Sequence, residues 1–75
     1  MIGKRLNSLR KAQKITARQM AERLNCSIRT YRNYESETSF PDYSRLIQIA
    51  DIFDVSIDYL LGRDGFLSKH ADSHP

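Results

Sequence analysis

Apolar residues recur along this chain at helical spacing, and no stretch alternates as a strand would. Ile2, Leu6 and Leu9 fall at i, i+4 and i+7 and predict a first helix from Ile2 to about Lys14. Thr16-Ala17-Arg18-Gln19 has the form of a capping box, with Ile15 and Met20 placed as its hydrophobic staple. Ala17, Met20, Ala21 and Leu24 then give a second helix its buried stripe, and Asn25 stops it. Only Asn25 and Cys26 separate it from a third helix, which Ser27 caps and which runs to about Glu35. At about 100° per residue, Ser27, Thr30, Tyr31 and Tyr34 share one side of this helix. Ile28, Arg29, Arg32 and Asn33 share the other. The tyrosine side reads as core, the arginine side as surface.

Pro41 keeps Phe40 out of a helix, and Asp42 caps a fourth helix from Tyr43 to Phe53. Its apolar positions, Tyr43, Leu46, Ile47, Ile49, Ala50, Ile52 and Phe53, cover more than one stripe, which predicts the most buried helix of the set. Asp54 ends it. Ser56 caps a short fifth helix, Ile57 to Leu61, closed by Gly62. Residues 1–62 therefore form one all-α, five-helix domain. Residues 63–75 carry no period and form a tail that is partly ordered at most, in which Phe66 and Leu67 stand out as large apolar residues.

Seventy-five residues, 40 % of them apolar, supply one small core. No apolar run reaches the roughly 18 residues of a membrane span, and the first residues lack the pattern of a signal peptide. One cysteine makes no internal disulfide, which suits a reducing cytoplasm; Cys26, after the break between helices two and three, reads as an inert, buried thiol. There is no phosphate loop and no nucleophile–base pair, so the chain does not read as an enzyme and calls for no cofactor. His70 and His74 lie in the unpatterned tail and are not read as a metal site. The charge is unevenly spread. Residues 1–34 hold nine bases against one acid, a net +8, while residues 35–75 hold three bases against eight acids, a net −5. A basic half points to a polyanion; its alternative is a charged face that meets only solvent.

Two short helices joined by a tight break, the second with a polar outward face, form the helix-turn-helix pattern. A helix of that width fits the major groove, where each base pair shows a distinct set of donors and acceptors. The chain from Ile2 to Leu61 resembles the lambda-repressor-like, Cro/Xre-type helix-turn-helix family. The resemblance rests on Ile2-Gly3-Lys4-Arg5-Leu6, Leu9-Arg10, Ile15-Thr16, Met20-Ala21-Glu22-Arg23-Leu24, Ser27, Tyr31, Tyr34-Glu35, Pro41, Leu46 to Ala50 and Val55 to Leu61. It implies a compact domain that binds operator DNA and regulates transcription, as a repressor, in a prokaryote or phage. Its base readers correspond here to Ser27, Ile28, Arg29, Arg32 and Asn33. The chain departs from the family at Ala17, where a DNA-contacting glutamine is common, and at Asn25, Glu37 and Asp54, where glycines are common. Glu37 would oppose a phosphate, while Thr38 beside it stays a DNA-contacting candidate.

Each residue has a plainer role to set beside this. Arg29 and Arg32 fit guanine O6 and N7, or else meet phosphate or solvent. Asn33 matches adenine. Ile28 either touches a thymine methyl or packs on its neighbours. Ser27 caps its helix, with a bond to phosphate as its second candidate role. Arg18 is either a phosphate clamp or a solvated arginine. The resemblance also implies an ion pair between Arg10 and Glu35, the one acid beside the basic face. A homodimer reading a palindromic operator, weak in free solution, follows from how little one short helix reads. Its surface is expected at Ile57, Leu60, Leu61, Phe66 and Leu67; the alternative is that Phe66 and Leu67 fold back on their own core. A different function on the same fold is an antitoxin or regulatory adaptor whose main partner is a protein. A membrane-surface module is disfavoured, because no large apolar stripe opposes the bases.

Overall fold

The computed structural model describes residues 2–62, which form α1 (Ile2–Ala12), α2 (Ala17–Arg23), α3 (Ile28–Glu35), α4 (Tyr43–Phe53) and α5 (Ile57–Leu60). A short polar side chain starts each of the last four. The capping box at α2 is complete: Gln19 N–H donates to Thr16 Oγ1 at 3.1 Å, and Thr16 N–H to Gln19 Oε1 at 2.9 Å. Ser27 accepts from Thr30 N–H at 3.1 Å, Asp42 from Arg45 N–H at 2.8 Å and Ser56 from Tyr59 N–H at 3.0 Å. Each bond satisfies a backbone donor that the helix itself leaves free.

The helices end by a shared device. Lys14, Asn25, Glu37, Asp54 and Gly62 all take a positive φ, between 56° and 75°, just past their helices. After the first four, two backbone bonds close the turn. Ile15 N–H reaches Arg10 O at 2.9 Å, Cys26 N–H reaches Ala21 O at 3.0 Å, Thr38 N–H reaches Asn33 O at 2.9 Å and Val55 N–H reaches Ala50 O at 3.0 Å. This is the six-to-one closure that left-handed caps allow. It also explains why α1 stops at Ala12, short of the Lys14 expected from periodicity. Lys14 turns the chain so that Ile15 can enter the core.

Each helix gives the core one side chain with no exposure: Leu6, Met20, Tyr31, Ile49 and Leu60. α2 packs on α3, α1 on α3 and α5, and α4 on α5. Two expectations need correction. α4 is not buried all round. Leu46, Ile49, Ala50 and Phe53 form a single inward stripe, while Tyr43 is 71 % exposed and Ile47 39 % exposed. A five-helix domain covers only one side of this helix, and both residues lie off the stripe. Leu60, expected on a dimer surface, is taken up by the core, because the Ser56 cap sets the single turn of α5 with Leu60 inward. Phe66 and Leu67 lie outside the described residues, as does the rest of the tail.

Gly3 sets the closest approach between helices. A Cβ on it would lie 2.2 Å from Glu35 O and 2.9 Å from Glu35 C, both backbone atoms. No larger residue fits while α1 rests on the last turn of α3. Gly3 N–H also donates to Glu37 Oε2 at 3.0 Å, so an acid sits at the positive start of α1. Arg5 ties α1 to α5, with its guanidinium 4.2 Å from the centre of the Tyr59 ring and Nη1 donating to Tyr59 O at 3.2 Å. No helix of the described residues is long and apolar enough to cross a membrane.

Asp54 holds a left-handed conformation, φ 56°, that costs a residue with a Cβ and costs glycine nothing sterically. Asp54→Gly is therefore expected to stabilise the fold by about 0.5–1 kcal/mol, read as a higher urea midpoint at unchanged slope. A lower midpoint would mean that the aspartate side chain contributes more than the strained backbone costs.

Candidate nucleic-acid interface

The unit that would enter DNA is α2, the turn Leu24–Ser27 and α3. Met20, Ala21 and Leu24 on one side and Tyr31 and Tyr34 on the other are all buried, so the two helices share one apolar seam. The tyrosine rings meet edge to face, centroids 6.4 Å apart at 83°. Cys26 is half-buried against the same core. With the inner side of α3 occupied, its opposite side must face solvent.

Arg29 and Arg32 are exposed there, and Asn33 is half-exposed beside them. Neither arginine makes an ion pair or side-chain hydrogen bond among the described residues. Both guanidinium forks are thus left to an external acceptor. Ile28 is half-buried and packs against the core at the edge of this face, which favours its packing role. Ser27 is exposed, but its hydroxyl donates to Thr30 Oγ1 at 2.9 Å while accepting the capping bond. It has to release Thr30 before it can donate to a phosphate. Arg18 is exposed on the first turn of α2. Thr38 is exposed past the end of α3, its hydroxyl 2.8 Å from that of Ser36. The seven residues thus lie along α3 and its two flanks, with Arg18 on the helix that braces it.

The nine bases of residues 1–34 divide by role. Arg5 and Arg10 are held in structural contacts, whereas Lys4, Lys11, Lys14, Arg18, Arg23, Arg29 and Arg32 are exposed. The net charge of that half overstates what is free to meet a polyanion, though a large positive surplus remains.

Glu35 organises the inner end of the interface. Arg10 Nε donates to its Oε2 at 2.6 Å and Arg10 Nη2 to its Oε1 at 3.3 Å. Asn7 Nδ2 donates to Oε1 at 2.9 Å, and the Tyr31 hydroxyl to Oε2 at 2.5 Å. Arg10 Nη1 also reaches Ile15 O at 3.1 Å. Burial alone would push the Glu35 carboxyl up, but the donors from Arg10, Asn7 and Tyr31 outweigh it and hold the carboxyl below its ordinary range. Burial, followed by the hydrogen bond to Glu35, drives the Tyr31 hydroxyl strongly upward, and the bond to Glu35 raises the Arg10 guanidinium. Arg45 closes a smaller link, Nη1 donating to the Tyr34 hydroxyl at 2.9 Å.

Sequence reasoning paired Arg10 with Glu35 and missed Asn7, the Tyr31 hydroxyl, Glu37 and Arg45. One signal was available. Gly3, Asn7 and Arg10 sit at i, i+4 and i+7, a stripe beside the apolar one, and the structure turns it toward α3. Glu37, read as opposing a phosphate, is exposed and has one carboxylate oxygen engaged by α1.

The lowered Glu35 pKa makes a pH statement with a defined sign. A carboxyl whose folded pKa lies below its unfolded value stabilises the fold above the unfolded value, and that gain is lost as pH falls through the folded one. Stability should therefore decline from the ordinary glutamate range downward. Glu35→Gln should lower stability at pH 7 and flatten this acid limb, measured by urea unfolding between pH 7 and pH 3. An acid limb unchanged in the variant would assign the loss to other carboxylates.

Comparison with known proteins agrees with this geometry. A family model described as a helix-turn-helix domain matches residues 3–65. The transcriptional regulator YobD of Bacillus subtilis is 42 % identical over 62 residues, covering 83 % of this chain and 55 % of that protein. ImmR of the same organism, an HTH-type transcriptional regulator, is 36 % identical over 69 residues, 92 % of this chain and 54 % of its own length. The cryptic phage CTXphi transcriptional repressor RstR of Vibrio cholerae is 42 % identical over 62 residues, with 83 % and 55 % covered. The chain thus spans about half the length of these curated relatives. A crystal structure of a transcriptional regulator from Listeria innocua superposes with a TM-score of 0.79 at 33 % identity, over 97 % of this chain and 74 % of that one. With its capped α2, left-handed turn and outward-facing α3, the chain belongs to the helix-turn-helix domain family.

Proposed function

We propose that the chain is a sequence-specific, double-stranded-DNA-binding transcriptional regulator that acts as a repressor. The observation that carries this is the outward face of α3, where Arg29 and Arg32 stand exposed with no partner among the described residues and Arg29 lies between Arg32 and Asn33 on the wheel. Arginine and asparagine forks match guanine and adenine edges in the major groove. Arg18 on α2, with Ser27 and Thr38 at the flanks of α3, would take phosphates and set the register of the helix on the duplex. The names of the matched relatives, regulators and one phage repressor, support the regulatory role.

The same reading includes a homodimer on a palindromic operator. One module of this size buries roughly 600–1,000 Å² on DNA, which is thin for strong specificity. Two copies related by a two-fold axis would place their α3 helices in half-sites about 34 Å apart. Ile57 and Leu61, half-buried at α5, are the described residues that remain for such a contact.

Selection of bound sequences from random duplexes at stated salt tests the function. Arg29→Ala should weaken binding to the selected site by about 1–3 kcal/mol and relax preference at one base pair. Arg18→Ala should weaken binding to every duplex alike and reduce the salt slope by about one unit. A selected motif unchanged by Arg29→Ala would sink the assignment of the reading face. For the dimer, sedimentation on a full two-half-site duplex should give two chains per duplex; one chain at saturation contradicts it.

A further inference from the structure

A shallow groove of about 390 Å³ lies beside the start of α1, lined by Ile2, Glu37, Thr38, Ser39, Phe40 and Leu61. Ile2 is buried, Leu61 half-buried, and Phe40 stands 60 % exposed at the rim. Three apolar side chains from α1, the loop before α4 and the end of α5 thus meet around an open space. An exposed phenylalanine beside an open apolar groove leaves apolar area in water that a further side chain would remove.

The described chain ends at this groove. Leu61 lines it, and Gly62 follows with φ +75°. We propose that the chain's own Phe66 and Leu67 occupy the groove, with Phe66 packed between Ile2, Phe40 and Leu61. Three features select this occupant. Phe66 and Leu67 are the only large apolar residues in positions 63–75. Three residues separate Gly62 from Phe66, four residue steps with a reach of up to roughly 14 Å, so the pair can return to a groove lined by Leu61. Among the described residues Glu37 is the one charged side chain lining the groove, and Arg63 and Lys69 flank the apolar pair in the sequence, with Asp64 the one acid between them.

A second copy offering the same two residues is the rival occupant. The tether decides between them. A tether this short holds its end at an effective concentration on the order of millimolar, which a separate chain at micromolar concentration does not reach. Docking would also brace the segment from Glu37 to Phe40, which joins α3 to α4 and carries Thr38. Docking of the pair takes Phe66, Leu67 and Leu61 from the surface expected to join two copies and leaves Ile57 there.

Nuclear magnetic resonance on the full chain tests it, using a sample mixed from isotope-labelled and unlabelled protein. Contacts within one chain are then separable from contacts between chains. Nuclear Overhauser contacts from the Phe66 ring to the methyls of Ile2 and Leu61 are expected within one chain and unchanged on tenfold dilution. Phe66→Ser should abolish them and shift the Thr38 and Ser39 amides, while Phe66→Leu should keep those amides near their original positions. The substitutions lie outside the five-helix core, so the variants should fold. Contacts seen only between chains would give the groove to a second copy and overturn the proposal. So would the absence of any contact from Phe66 to the groove.

Discussion

The carboxylate of Glu35 fixes how α3 sits on the rest of the molecule. It takes donors from Arg10 and Asn7 on α1 and from Tyr31 on α3, so one side chain joins two helices through four hydrogen bonds. The Arg10 and Glu35 side chains keep only 15 % and 13 % exposure. At that burial a charge is tolerated because it is paired and its remaining lone pairs are used. Removing one partner is expected to cost about 3–5 kcal/mol, mostly from stranding the other charge. Gly3 makes the arrangement possible, because only a residue without a Cβ lets the α1 backbone come against Glu35 O.

This constraint matters because α3 has eight residues. A helix that short is marginal by itself in water, so its conformation and direction must come from contacts with its neighbours. Tyr31 and Tyr34 supply the apolar part, and the Ser27 cap fixes where the first turn begins. The Glu35 network anchors the last turn, and Glu37 continues the anchoring with a bond to Gly3 N–H. With both ends held, Arg29, Arg32 and Asn33 present a defined spacing to the solvent. Base readout depends on such pre-set geometry, because a two-pronged hydrogen bond tolerates little error in position.

Much of this was legible in the residues. Thr16, Ser27, Asp42 and Ser56 announced four helix starts because a cap is a local event, set within four residues of sequence. Asn25 and Gly62 announced stops for the same reason. Lys14 and Glu37 did not, since neither residue type favours a left-handed conformation; the closing backbone bonds hold both there, with the bond from Gly3 N–H added at Glu37. The buried tyrosines followed from the helical wheel; the bond from the Tyr31 hydroxyl to Glu35 did not, because a wheel gives direction and not a partner on another helix. Exposure of Tyr43 and Ile47 was missed because periodicity counts apolar positions without knowing how many neighbours are available to cover them. Leu60 was placed outside for the same lack. A four-residue helix has too few positions to show which face is inward.

Methylation interference on a selected operator reports directly whether α3 reads bases from the major groove. Guanine N7 lies in that groove and adenine N3 in the minor one, so one reagent that methylates both separates the two modes of approach. Methyl groups on guanine N7 within each half-site should block binding of the unaltered protein, and Arg29→Ala should lose that sensitivity at one position. Binding indifferent to guanine N7 methylation, or blocked only by methylated adenine N3, would contradict major-groove reading by α3.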